Sequence, residues 1–307
     1  MTDSLPSLWK LGGLGPVKLT KLVIDRISEH ELWTRSASLA YYFLLAVFPM
    51  FLFLVSLVGV LAGPGSQLRH TIVTALGHVA PGSASEVVHR VVNQTFKSSG
   101  GLKLAAGIVG ALWAASGGLS AVVTSLNVVY RTKETRPWWK QKLIVVGLTL
   151  ALSLLIIVAI VLVLYGGRIG RLVASHVGLG TAFEMTWRMV QWPVILFAMF
   201  FSFSLIYHFS PNLKQHRWNW VSPGAVAGVI LWLVASIGFR IYLHYFNRYS
   251  ATYGSLGAVI ILMLWLYLTG FAVLIGGEVN CIIENQDRTA AAPKDKIRLT
   301  MESPKAA

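Results

Sequence analysis

Six long apolar stretches alternate with shorter polar ones along the chain, and that alternation predicts the architecture before any single residue does. They fall at about 38–62, 102–127, 143–165, 189–209, 221–243 and 253–277, each long enough to cross a hydrocarbon core of about 30 Å as a helix. The last is the clearest, since no residue between Tyr253 and Gly277 is charged. The expected fold class is all-α: a polytopic membrane protein with six transmembrane helices. Pro49, in the middle of the first span, removes a backbone hydrogen bond and is expected to kink it. Pro223 stands at the start of the fifth, where proline is tolerated.

The polar segments carry their own periodicity. Between Val17 and Trp33, Leu19, Leu22, Val23 and Ile27 share one helical face while Lys18, Lys21, Asp25, Ser28 and Glu29 share the other. This predicts an amino-terminal amphipathic helix lying in the membrane interface, with Trp33 at headgroup level. A soluble face packed on another part of the chain is the alternative. Between the first two spans, Ser83 and Glu86 have capping-box spacing, and Val87, Val88, Val91, Val92 and Phe96 follow at helical intervals. A short helix covering one mouth of the bundle is expected there. The chain thus divides into residues 1–35 (tail and interfacial helix), 36–284 (transmembrane domain) and 285–307 (tail).

Composition agrees with this pattern: 55% of residues are hydrophobic, 12% are charged and the mean hydropathy is +0.64. The first apolar run begins near Ser36, too late and too long for a cleaved signal peptide, and is expected to be retained. The net charge of +14 could suggest nucleic acid, but the basic residues are interleaved with spans and form no basic domain, so no nucleic-acid partner is expected. Their distribution gives orientation instead. Of the 26 Lys and Arg, 17 fall on the side of the two tails and of the loops around 131–142 and 214–217, and 9 on the other. The positive-inside rule then places both termini in the cytoplasm. Cys281 is the single cysteine, which excludes an internal disulfide or a multi-cysteine metal site.

Few residues suggest chemistry. Ser116, Ser120, Thr124 and Asn127 are spaced four, four and three apart and share one face of the second span. They form either a packing seam or one wall of a hydrophilic cleft. Glu278 and Asn280 follow Gly276 and Gly277 at the end of the sixth span. A carboxylate there must be paired, protonated or wetted, so Glu278 is a candidate proton or substrate site; an ionic clamp to Arg35 or Arg136 is the alternative. Arg136 and Arg240 are candidate headgroup contacts, Arg240 also being able to snorkel to the interface. The loop from Arg131 to Lys142, with Trp138 and Trp139, would attract anionic lipid, although topology alone accounts for its charge. His70, His78, His89 and Glu86 share one polar segment without a metal-ligand template. No HExxH, Walker A, GxGxxG or GxSxG motif occurs, so neither catalytic residues, metal nor cofactor are expected. Superposing the second span on the sixth aligns Trp113 with Trp265 and Gly118 with Gly270, as a parallel internal repeat would.

Taken together, Ser38-Leu39-Ala40-Tyr41-Tyr42 with Pro49, Leu112-Trp113-Ala114-Ala115-Ser116, Leu126-Asn127-Val128-Val129-Tyr130, Arg136-Pro137-Trp138, Pro223-Gly224-Ala225 with Trp232, Tyr253-Gly254-Ser255-Leu256-Gly257, Trp265-Leu266-Tyr267 and Gly276-Gly277-Glu278-Val279-Asn280 resemble the YihY/BrkB family of bacterial inner-membrane proteins. The resemblance covers roughly Trp33 to Glu284. Gly277 stands where the family commonly has alanine, and Gly117 where a basic residue is frequent. The resemblance implies a six-span inner-membrane protein, with envelope integrity, serum resistance and lipid movement as the associated roles. The family's old name, ribonuclease BN, looks like a misassignment: a metal nuclease needs clustered His and Asp ligands, and that ligand cluster is missing from this sequence. The expected function is translocation of an amphipathic substrate, with membrane lipids as partners. A scaffold that recruits an envelope-assembly or secretion protein, or a homo-oligomer, is the alternative.

Overall fold

The computed structural model describes residues 11, 13–62, 101–177, 180–213, 220–245 and 249–291. Among these every regular element is a helix: α1 (Pro16–Glu29), α2 (Leu32–Ala62), α3 (Gly101–Val129), α4 (Trp138–Val177), α5 (Gly180–Phe209), α6 (Pro223–Tyr245) and α7 (Tyr249–Ala291). Six of them, α2 to α7, are long and apolar enough to cross a membrane. The expected helix at Val87–Phe96 and the group of His70, His78, His89 and Glu86 lie outside the described residues.

Most helices run past their apolar windows. α7 continues from Gly277 to Ala291 and α4 begins at Trp138; Asn285 and Gln286 of α7 and Trp138, Trp139 and Lys140 of α4 are exposed. α2 is continuous across Pro49, which cannot donate to the carbonyl of Leu45.

α2 packs against both α3 and α7. Where a β-carbon would stand on Gly118 of α3, Ala46 Cβ of α2 is 3.0 Å away; at Gly270 of α7 the neighbour is Leu39 Cβ of α2, at 3.1 Å. The two glycines that align in the internal repeat thus face the same helix two turns apart. Small residues at such crossings let the backbones close in without a side chain between them.

The apolar face of α1 rests on protein. Val23 is buried, and it packs with Leu19, Leu22 and Ile27 against Val279, Ile282 and Ile283 of α7, while Lys18, Lys21, Asp25, Ser28 and Glu29 are exposed. The amphipathic helix stands where its periodicity puts it, but α7 covers the face assigned above to the interface. α7 extends far enough beyond its apolar window to provide that cover. Trp33 belongs to α2, stacked on Phe271 with ring centroids 4.4 Å apart.

Candidate functional site

Three polar clusters close the end of the bundle that carries α1. The first is built on Glu278. Gly276 and Gly277 set its height on α7, because both approach other helices more closely than a side chain allows. A β-carbon on Gly276 would lie 2.2 Å from the Tyr207 hydroxyl and 2.5 Å from the Gly224 carbonyl oxygen; one on Gly277 would lie 2.6 Å from Leu126 Cδ2. One residue later, Glu278 is fully buried.

Its partner is His30, in the turn between α1 and α2. That turn is made by Glu31, whose φ of 51° lies in the left-handed region uncommon for a residue with a side chain. His30 Nδ1 meets Glu278 Oε1, and His30 Nε2 accepts from Arg131 Nε at 3.2 Å. An accepting Nε2 assigns the proton of a neutral imidazole to Nδ1, so the ring donates to the carboxylate. Arg131 also pairs with Glu29. Arg131 sits at φ 52° in a Schellman turn that ends α3, with Thr132 N donating to Asn127 O (2.8 Å) and Arg131 N to Val128 O (2.9 Å). Glycine usually occupies such a position; here the guanidinium is held against His30 and Glu29 instead.

Glu278 Oε2 and Arg26 Nη1 are buried without a hydrogen-bond partner among the described residues. Because Oε1 carries the His30 contact, Oε2 is the oxygen at which a proton can be added without breaking it. The clamp considered for Glu278 is made by a different residue. Arg35 donates to the His30 carbonyl (2.9 Å), and Arg136 belongs to another cluster. Glu29 and Glu31 flank His30 in the sequence, and folding adds Glu278 from the far end of the chain. Among the described residues no group of three His, Cys, Asp or Glu could hold a metal ion.

The second cluster joins α6 to α7. Asn280 Oδ1 accepts from Gly224 N (2.8 Å) and its Nδ2 donates to Ser222 Oγ (2.9 Å), which in turn accepts from Ala225 N (3.1 Å). Ser222 is the cap of α6 and Asn280 an extension of that cap from the neighbouring helix. The third cluster ties down the loop after α3. Asn127 donates to Glu134 Oε2 (2.9 Å) and accepts from Asn212 N (2.8 Å). Arg136 binds Glu134 and also reaches the carbonyls of Ser210 (2.9 Å) and Phe209 (3.3 Å) at the end of α5. The hydrogen bonds from Arg136, above all, hold the Glu134 carboxyl below its ordinary value of 4.5. The guanidinium of Arg136, assigned above to a headgroup, is thus engaged by protein groups.

The polar stripe of α3 does not act as one surface. Ser116 Oγ donates to Trp113 O (2.6 Å), Ser120 Oγ to Ser116 O (3.1 Å) and Thr124 Oγ1 to Ser120 O (3.1 Å), so each hydroxyl is satisfied by its own helix. Ser116 is buried, Thr124 is exposed and Asn127 belongs to the loop cluster. Arg240 is exposed on α6.

Sequence reasoning missed two residues. His30 was only one of eight scattered histidines, and its sole local signal is its position just after an amphipathic helix. Lys142 was counted with the basic loop. In the structure its ammonium donates to Ser116 Oγ (2.6 Å) and Trp113 O (3.3 Å) and lies 4.1 Å from the centroid of the Trp113 ring.

Six apolar helices, capped at one end by polar clusters, define a multi-pass membrane protein. The family model described as "Virulence factor BrkB" matches residues 23–298, and the chain belongs to that family. It is 37% identical over 268 residues to a "ribonuclease-like protein YfkH" of Bacillus subtilis (strain 168), covering 87% of this chain and 96% of that one. It is 27% identical to a "UPF0761 membrane protein" of Vibrio atlanticus, over 96% of this chain and 95% of the relative. A "UPF0761 membrane protein" of Photobacterium profundum is 30% identical over 83% of this chain and 77% of its own. No solved structure matches.

Proposed function

We propose that the chain translocates an amphipathic, lipid-like substrate in the bacterial inner membrane, in the service of envelope integrity, with both termini cytoplasmic and the Glu278–His30 pair as the proton-responsive element. One observation carries this reading: a fully buried carboxylate on a membrane span, with a histidine on one oxygen and no partner on the other among the described residues. Ionisable groups inside spans are costly and tend to mark the path of a substrate or proton. Here the site lies where α1 meets α7, so a proton added at Oε2 would weaken the hold of α7 on a helix that is otherwise amphipathic and peripheral.

The test is scrambling of fluorescent phospholipids in proteoliposomes, beside protein-free vesicles and the Glu278→Ala variant. Movement that requires the protein and slows in the variant supports the reading. If Glu278→Gln moves lipid at the same rate and with the same pH dependence, the proton role is lost. No movement with any of several lipid classes favours the second reading, a scaffold that recruits an envelope-assembly or secretion partner. The hydroxyls of α3 favour that alternative, since all three are engaged within their own helix. A stoichiometric partner that co-purifies, and is lost when the exposed Lys133 and Lys140 are both neutralised, would establish it.

A further inference from the structure

Lys142 is a half-buried cation in the second turn of α4. It stands just ahead of the apolar run of that helix and reaches across to Ser116 of α3. A charge in such a place ordinarily pairs with an opposite charge or faces water. Among the described residues Lys142 has only neutral partners, namely the Ser116 hydroxyl, the Trp113 carbonyl and the Trp113 ring face. They position the ammonium without neutralising it. Around it the surface is aromatic and open. Trp113 is 50% exposed, Trp138, with its ring 5.9 Å from that of Trp113, is 68% exposed, and the exposed Trp139 carries Lys140 over its face at 5.3 Å.

We infer that Lys142, Trp113, Ser116 and Trp138 form a binding site for the phosphate of an anionic phospholipid at the α3–α4 surface. The missing counter-charge comes from the lipid. The ammonium takes the phosphate, and the exposed indoles, apolar in body and able to donate through N–H, line the glycerol and upper acyl region, as tryptophans do at membrane interfaces. Basic side chains set between membrane helices recognise lipid headgroups by the same electrostatics. This site is separate from Glu278 and does not require that lipid be moved.

Native mass spectrometry of the full chain in detergent, titrated with phosphatidylglycerol, tests it. The wild type should hold one phosphatidylglycerol more tightly than Lys142→Met does, by about fivefold in apparent affinity, and Lys142→Arg should restore most of the difference. Lys140→Met, at the exposed neighbour, should change retention far less. Phosphatidylcholine should be retained more weakly than phosphatidylglycerol, and inorganic phosphate should not displace the lipid. Should Lys142→Met fail to fold, the wild type still decides, because phosphatidylglycerol retention must fall as ionic strength rises. Equal retention by wild type and Lys142→Met, equal retention of the two lipids, displacement by inorganic phosphate, or indifference to salt would each overturn the assignment.

Discussion

The two ends of the bundle are built on different principles. At the end carrying α1, large side chains such as Tyr207, Leu32, Leu39, Leu126, Leu274 and Ile283 are fully buried beside Glu278, and glycines allow α6, α7 and α3 to approach at backbone distance. Toward the other end, the described helices turn apolar side chains outward: Val109, Trp192, Val234, Ile237, Ile241 and Leu256 are more than half exposed. In a membrane that second surface faces lipid tails, as apolar as the side chains themselves, so burying it yields no hydrophobic gain. Packing and hydrogen bonds hold such helices together, and among the described residues most of the interhelical hydrogen bonds lie at the end carrying α1. The polar end pins the helices to one another; the exposed apolar faces of the spans meet the bilayer.

The sharpest way to break this contrast is to orphan Glu278. His30→Ala removes the partner of a fully buried carboxylate and should cost about 3–5 kcal/mol, read as a large fall in the thermal midpoint of the detergent-purified protein. His30→Ala combined with Glu278→Gln should recover much of that loss, since no charge is then stranded. If His30→Ala alone is neutral, the polar end is not what holds the structure.

Next in size is Gly224→Ala. Its β-carbon would stand 2.1 Å from the Gly276 carbonyl oxygen and 2.5 Å from Asn280 Cγ, so backbone must move, at about 1–3 kcal/mol or more. The matching change at the other end, Gly107→Ala, meets nothing within 4 Å and should stabilise by about 0.5–1 kcal/mol through helix propensity alone. Opposite signs in one unfolding assay would confirm the division.

The loop cluster sharpens the comparison by pH. The Glu134 carboxyl is held low chiefly by its hydrogen bonds from Arg136, so its contribution is fully present above the ordinary value of 4.5 and is lost as pH falls through the lower folded value. Protease cleavage within residues 131–137 should therefore increase as the pH falls below the ordinary value of 4.5, and Glu134→Gln should show most of that susceptibility already at neutral pH. The smallest effect is expected at Ser120→Ala, under about 1 kcal/mol, because that hydroxyl only doubles an acceptor its helix already uses. A larger loss, or a loss of lipid movement without a loss of stability, would restore the stripe as a cleft wall.

The number, order and approximate placement of the six membrane helices were determined by the sequence alone, because a hydrocarbon solvent demands that every backbone polar group be satisfied within a continuous apolar helix. The same periodicity determined that residues 16–29 form an amphipathic helix. Tertiary structure decided what those features meet. That α7 covers α1, that His30 partners Glu278 from 248 residues away, that Arg136 reaches Phe209 and Ser210, and that Lys142 sits over Trp113 are pairings between distant segments. Local pattern carries no record of them, since one apolar helix face accepts many neighbours and a lone charged residue names no partner. Only the packed bundle, in which few arrangements satisfy every buried polar group at once, selects among them.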